Sequence, residues 1–296
     1  MAKKLNARQK REQQQQKMHE KRSVKQENAR SNRIKADAGN HAPENGSGMN
    51  QSDSAWVPVE KTFRQWPVET NEANITDDGF VLMVENLSPL HLGSGQADVN
   101  IDADVVHDDC GLPYFPSKRL KGLIYESGLE VLEMLEACGA KVYTRENWDE
   151  LFCHGVEAEC RLIMPNLYLE DYENMRREWH ELMTCFPDMF QPIDVLEAYT
   201  SIRYQTKIDE ATGVAADTSL RNMRVVEANQ LFCGSVRLRA GGREHMEMLA
   251  LALQNLQRAG GKRNRGFGEL KCTMLQNGRN IQQVLIKNAW QRGSLA

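Results

Sequence analysis

Apolar residues along the chain fall in short runs whose period switches between that of a strand and that of a helix. Phe80 to Leu87 reads FVLMVENL, a β-compatible run closed by Ser88-Pro89, and predicts a strand. From Ser117 to Cys138 the apolar positions Leu120, Leu123, Ile124, Val131, Leu132 and Leu135 recur at helical spacing, and Gly139 stands where the helix should stop. Arg161 to Leu169 (RLIMPNLYL) predicts another strand, and Tyr172 to Thr184 an amphipathic helix. Glu197 to Lys207 and Met223 to Arg239 predict long strands joined by a loop containing Thr212-Gly213. His245 to Arg258 predicts a second major helix ending at Gly260-Gly261, and Phe267 to Met274 a closing strand. The order is strand, helix, strands, helix, strand. It implies an α+β fold with a ferredoxin-like or RRM-like core and insertions.

The N-terminal quarter has no such pattern. Residues 1–75 hold a Gln13 to Gln16 homopolymer and a stretch from Asn40 to Ser54 rich in Gly, Asn, Ser and acid. Such a segment buries too little apolar surface to offset its ordering entropy, so a disordered tail over 1–75 and one folded domain over 76–296 are expected, with the fold beginning near Asp78-Gly79. Among 296 residues, 41% are hydrophobic, enough for a core. No apolar run approaches the ~18 residues of a membrane span, and the polar N-terminus carries no h-region. A soluble cytoplasmic protein without membrane contact is the expectation.

Charge changes the picture more than composition does. Residues 1–35 contain twelve Lys/Arg and three Glu, a net of +9, so the remainder carries −13 to reach the total of −4. The basic tail implies either non-specific attraction to RNA or simple solvation. An acidic body can contact RNA only through local basic clusters. The seven cysteines are odd in number and include no C-x-x-C, which argues against a disulfide framework or a zinc ribbon. Cys153, His154 and Cys160 lack an evident fourth ligand, and buried free thiols are the expectation.

Four clusters carry candidate chemistry. His91-Leu92-Gly93-Ser94-Gly95 follows the first strand, and its glycines permit tight turns and close backbone approach. In the second, Asp102 and Asp104 precede the turn signal Asp108-Asp109-Cys110-Gly111, and Lys118, Arg119, Lys121 and Gly122 open the first helix. Cations at a helix start oppose the helix dipole, and a bound phosphate would resolve the conflict. The third is Gly260-Gly261-Lys262-Arg263-Asn264-Arg265-Gly266-Phe267-Gly268, where Gly-rich backbone and Arg forks suit phosphates. No Walker-type loop is present, which argues against NTP hydrolysis. In the fourth, Arg203, Tyr204 and Lys207 precede a hairpin turn and Arg221 and Arg224 follow it, a pattern that suits either a single-stranded RNA track or a solvated hairpin.

Taken in order, these clusters resemble the RAMP superfamily of CRISPR-associated proteins. The resemblance covers about Phe80 to Met274. It rests on a strand leading into HLGSG, then ID-x-x-V, then D-x-x-G-x-P-Y-x-P and LKG opening a helix. A T-x-I-D-x-x-T-G-x-A hairpin and a terminal RGFGEL complete it. The resemblance is greatest to the backbone subunit of type III interference complexes. It implies a RAMP core with a β-hairpin thumb around Ile208 to Val214, preceded by the basic tail. It further implies contact with guide RNA (crRNA) at Gly93, Gly95, Lys118, Arg119, Lys121, Gly122, Arg203, Lys207, Gly261, Lys262, Arg263, Arg265, Gly266 and Gly268. Complementary target RNA, other effector subunits and further copies of the chain along the guide are the implied partners. Asp102 aligns with the aspartate that cuts target RNA with a divalent metal, Mg2+, in the catalytic backbone subunit, and one carboxylate with retained waters suits that ion.

Three readings remain open beside target-RNA cleavage. A non-catalytic scaffold of the same complex would leave Asp102 structural. A guide-processing endoribonuclease would need a histidine near the scissile phosphate, with His91 and His107 placed for it. An RRM-like single-strand binder ranks last, because no aromatic RNP1 pattern lies on a strand.

Overall fold

The computed structural model describes residues 65–95, 101–140, 143–153, 161–209, 213–216 and 219–295. The expected tail therefore lies outside the described residues as far as residue 64. Strand β1 (Gly79–Asn86) forms the centre of a sheet. Its even positions Phe80, Leu82 and Val84 are buried, and Val81 on the other face is not. Helix α1 (Ser117–Ala137) follows, then α2 (Arg145–Phe152), started by the Thr144 side chain accepting from Asn147 N. Gly139, at φ +81°, follows the last turn of α1.

The strand expected over 161–169 is two strands. Met164-Pro165-Asn166-Leu167 separates β2 (Arg161–Ile163) from β3 (Tyr168–Leu169), and Pro165 has no N–H to give to a ladder. Both pair with the same partner, β6 (Leu231–Arg239), at Arg161 opposite Arg239 and Tyr168 opposite Cys233. A Cβ on Gly234 would stand 2.6 Å from the Leu167 side chain, so the interruption packs where β6 has no side chain of its own.

Helices α3 (Tyr172–Cys185) and α4 (Pro192–Tyr199) come next. α4 occupies the start of the strand expected from Glu197. Pro192 at the first helical position and the reciprocal Gln191–Asp194 capping bonds nucleate it against the local β propensity. Strand β4 is thus limited to Thr200–Gln205, and it pairs with β5 (Arg221–Val226) in a separate two-stranded sheet. The run expected as one strand over 223–239 is divided between the two sheets by a turn at Asn229, φ +66°. Buried Asn86 organises that turn. Its amide donates to Glu227 O at 2.8 Å and its oxygen accepts from Gln230 N at 2.8 Å.

Helix α5 (Arg243–Asn255) leads to β7 (Leu270–Gln276), β8 (Arg279–Asn280) and α6 (Gln282–Leu295). Residues 256–258, expected as helix, leave it at Leu256. There the chain turns extended, and Arg258 bridges Glu269. The main sheet runs β2-β6-β1-β7-β8 with every named pair antiparallel. Stripped of insertions this is the β-α-β-β-α-β order of a ferredoxin-like core, as the pattern predicts. Leu120 and Ile124 of α1, Leu249 and Leu253 of α5, and Leu285 of α6 join the buried side chains of the sheet in one core. Each such side chain contributes about 1.5–3 kcal/mol on burial.

The chain enters this fold earlier than Asp78. Asn280 N donates to Pro67 O at 2.8 Å, Glu69 N to Asn280 O at 2.9 Å, and Ile75 is buried in the core. Among the described residues no helix is long and apolar enough to cross a membrane.

Candidate nucleic-acid interface

The segment after β1 is the hub of the candidate site. Leu90 and Val226 of β5 exchange backbone hydrogen bonds of 2.9 and 2.8 Å. Ser94 N donates to Asp104 O and Val106 N to Leu92 O, each at 2.8 Å, which ties HLGSG to the loop bearing Asp102. Gly261 N donates to His91 O at 3.0 Å and Gly268 N to Pro89 O at 2.9 Å, which brings the glycine-rich loop onto the same segment. Arg119, from the first turn of α1, donates to Gly93 O at 2.9 Å. Three clusters far apart in sequence therefore meet around residues 89–95.

One glycine makes the approach feasible and a second lets the loop close on itself. A Cβ on Gly260 (φ +79°) would lie 2.5 Å from His91 O, and one on Gly268 (φ +73°) would lie 1.8 Å from Ala259 O. Gly93 and Gly261 flank the His91 ring: a Cβ on Gly93 would stand 2.9 Å from Nε2, and one on Gly261 3.1 Å from Cδ2. Gly95 and Gly266 have positive φ with open space beside them, and a Cβ on Gly122, in an exposed turn of α1, would meet nothing within 4 Å.

His91, Asp102, Gln205, Asn222, Gly261 and Lys262 line a cleft of about 580 Å3, together with Arg221. Lys262 donates to Gln205 Oε1. Its pKa is lowered, first by burial and then by the positive charges of Arg265 and Arg221. Cations gathered in this way favour an anion between them. His91 Nδ1 lies 2.7 Å from Arg224 O. A carbonyl oxygen only accepts, so Nδ1 carries the proton and Nε2 of the neutral ring is left as an acceptor.

Asp102 is exposed and held by a reciprocal pair. Asn222 N donates to its Oδ2 and Asn222 Oδ1 accepts from its N–H, both at 2.8 Å. Asp104 is engaged differently, 3.1 Å from the Nε of Arg224, whose side chain is 3% exposed. Arg224, grouped with the hairpin cations from its sequence position, is thus a buried structural residue. It also donates to Thr200 Oγ1 at 3.1 Å.

The other cations named from the sequence divide. Lys118, Arg263 and Arg265 are exposed at the edge of the same region. Lys121 turns towards β2, donating from Nζ to Leu162 O at 2.7 Å, and burial lowers its pKa. Arg203 pairs with Glu227 at 3.2 Å, and Lys207 is exposed beyond the end of β4, close to the Ile208–Ala215 bridge. Residues 210–212 of the hairpin turn lie outside the described residues. His107 is exposed, with Nδ1 2.8 Å from Asp108 O.

Among the described residues, the group of side chains with metal-ligating spacing is Asp108, Asp109 and Cys110. Its oxygens already cap the predicted turn. Asp108 Oδ1 accepts from Cys110 N and Leu112 N, Tyr172 OH donates to Oδ2, and Arg176 pairs with Asp109 at 3.1 Å. Cys153 accepts from Arg161, and His154 and Cys160 lie outside the described residues. Asn222 is the site residue the sequence did not single out. It stands 120 positions from Asp102 and belongs to no motif.

The RAMP superfamily model matches residues 84–271, nearly two thirds of the chain, and the chain belongs to that superfamily. No curated protein matches it. Among solved structures it is similar to a chain of the type III-B Cmr-beta cryo-EM structure in the apo state. The identity is 14% and the TM-score 0.45, over 67% of this chain and 98% of that one. It is also similar to a chain of type III-B Cmr-beta bound to cognate target RNA, at 14% identity and a TM-score of 0.44, over 70% of this chain and 98% of that one.

Proposed function

We propose that the chain is a guide-RNA-binding subunit of a CRISPR type III-like effector complex that cuts complementary target RNA at Asp102 with Mg2+. The observation that carries the reading is the shared cleft: Asp102 opens on the space lined by Gly261 and Lys262. RAMP membership supports it, as does the convergence of HLGSG, the first turn of α1 and the glycine-rich loop. Lys118, Arg119, Lys262, Arg263 and Arg265 take phosphates of the guide, the hairpin separates segments of guide–target duplex, and further effector subunits or copies of the chain continue the track. Lys121 and Arg203, already engaged within the chain, contribute less.

The donor set fits Mg2+ in a limited way. Asp102 Oδ2 accepts from Asn222, which leaves Oδ1 without a hydrogen-bond partner among the described residues, while Arg224 occupies Asp104. One carboxylate and retained waters suffice for this ion, which would supply charge neutralisation at the scissile phosphate. The test is cleavage of guide-complementary RNA by the reconstituted complex with Mg2+, comparing the native chain with Asp102→Ala. Loss of cutting with RNA binding retained supports the reading. Unchanged cutting, or none in either sample, leaves a guide-holding scaffold.

A second reading has its own observation. The Nδ1 bond to Arg224 O leaves His91 Nε2 as a proton acceptor beside the cleft, as a guide-processing endoribonuclease requires. Metal-free cleavage of repeat RNA by the isolated chain, abolished in His91→Ala, would select it.

A further inference from the structure

The loop that carries Asp102 is built onto the hairpin rather than onto the main sheet. Ala103 forms a parallel bridge with Met223, and Arg224 N donates to Ala103 O at 2.9 Å. Asn222 closes the bonds on one side of this bridge through Asp102, and Arg224 closes the other through Asp104. Residues 102–104 thus run as a short third strand beside β5, opposite β4. The main sheet holds no part of this clamp. The chain enters that sheet only after the turn at Asn229, as β6.

We infer that Asn222 is a positioning residue whose side-chain amide holds the Asp102 N–H, fixing the backbone from which the carboxylate projects, and couples Asp102 to the β4–β5 hairpin. The inference rests on the reading of Asp102 as the cutting residue. Two bonds at 2.8 Å fix one residue at both its N–H and its carboxylate. Free rotation about χ1 would otherwise let an exposed aspartate sample several rotamers. With Oδ2 held by the Asn222 N–H, Oδ1 is the oxygen presented for chemistry. Both partners of the clamp sit on β5, so Asp102 is held in register with the hairpin strand.

The test uses the reconstituted complex with guide, complementary RNA and Mg2+. Asn222→Ala removes the acceptor for Asp102 N–H while leaving the backbone donor in place. The rate at saturating target is expected to fall about tenfold, the size of one lost hydrogen bond, with the half-saturating target concentration unchanged. Asn222→Asp retains an acceptor oxygen at the same place and is expected to cut within about threefold of the native chain. Combining Asn222→Ala with Asp102→Ala is expected to cost no more than Asp102→Ala alone, because the two act as one unit. If Asp102→Ala abolishes cutting while Asn222→Ala cuts at the native rate, the positioning role is wrong and the catalytic reading stands. A rise in half-saturating target concentration without loss of rate also overturns it, by showing a structural part in RNA binding. If Asp102→Ala itself cuts normally, the catalytic reading falls and the inference with it.

Discussion

Glu247 is fully buried on α5, and its position shows how much a single residue can hide from sequence reading. Tyr143 OH donates to Oε2 at 2.7 Å and Arg292 Nε lies 3.2 Å from the same oxygen, while Oε1 has no hydrogen-bond partner among the described residues. Burial raises its pKa above the ordinary 4.5, outweighing the lowering by Tyr143 and Arg292. The folded state therefore binds this proton more tightly than the unfolded state. Its contribution to stability is full below the unfolded pKa and is lost as pH rises through the folded one. Glu247→Gln keeps an acceptor for Tyr143 and removes the buried charge. Arg292 is 40% exposed and retains Glu244 at 3.0 Å, so no buried cation is stranded. The variant is expected to melt higher than the native chain at neutral pH and to lose part of the decline in melting temperature above about pH 4.5, measured by thermal melts across pH. A lower melting temperature at neutral pH would show that the ion pair outweighs the burial. At this scale the sequence showed which residues are charged and not where they point. Lys118 and Lys121 look alike in the motif, yet one is exposed and the other donates to Leu162 O. Asp102 was legible because a motif surrounds it. Asn222 was not, because a polar residue in a strand carries no local signal of a partner 120 residues away.

Helix α1 begins with a conflict that the element itself cannot relieve. Its first turn holds no acid and two cations, Lys118 and Arg119, and Pro116 at the N-cap offers no side-chain hydrogen bond. Ser117 N is satisfied by Asn166 Oδ1 at 2.9 Å, but the dipole still faces positive charge. Lys118→Glu isolates the effect, since Lys118 is exposed and, unlike Arg119, holds no neighbouring loop. The substitution is expected to stabilise the chain by about 0.3–1 kcal/mol in urea unfolding at low salt. Under the proposed function it weakens guide-RNA binding at the same time. Opposite signs in the two measurements mark a helix start kept basic for an anion; a loss in both would make Lys118 structural. Elements with strong periodicity were legible from the chain alone, as α1, α3 and β1 show. α4 was not, because capping by Gln191 and Asp194 and a proline at the first position override the β-compatible residues behind it. β5 and β6 read as one strand because both are apolar, and only the turn held by Asn86 sends them to different sheets.

For the whole molecule, the ferredoxin-like order followed from the sequence of elements, whereas the meeting of three distant clusters around residues 89–95 needed the resemblance to suggest it and the fold to display it. Periodicity reports local faces; it says nothing of which loops converge at one end of a sheet. Charge at this scale is divided as well. Residues 1–35 carry +9 and the remaining chain −13, so the cleft cations Lys262 and Arg221, and Arg265 at its edge, act against an acidic background. Long-range attraction of RNA to the native chain should therefore depend on the basic segment, and close contact on the cleft. Each phosphate contact adds roughly 0.7 to the slope of log affinity against log salt for a single strand. A chain lacking residues 1–35 is expected to bind guide RNA more weakly at low salt and with a shallower slope. The two titrations should converge as screening shortens the reach of the segment to about 3 Å near 1 M salt. Lys262→Ala is expected to act in the other way, weakening binding at every salt concentration because its contact lies within the cleft. Titrations of both variants by fluorescence anisotropy across salt separate the two contributions. An unchanged slope after removal of residues 1–35 would mean that the cleft alone meets the RNA, and that the basic segment serves some other surface.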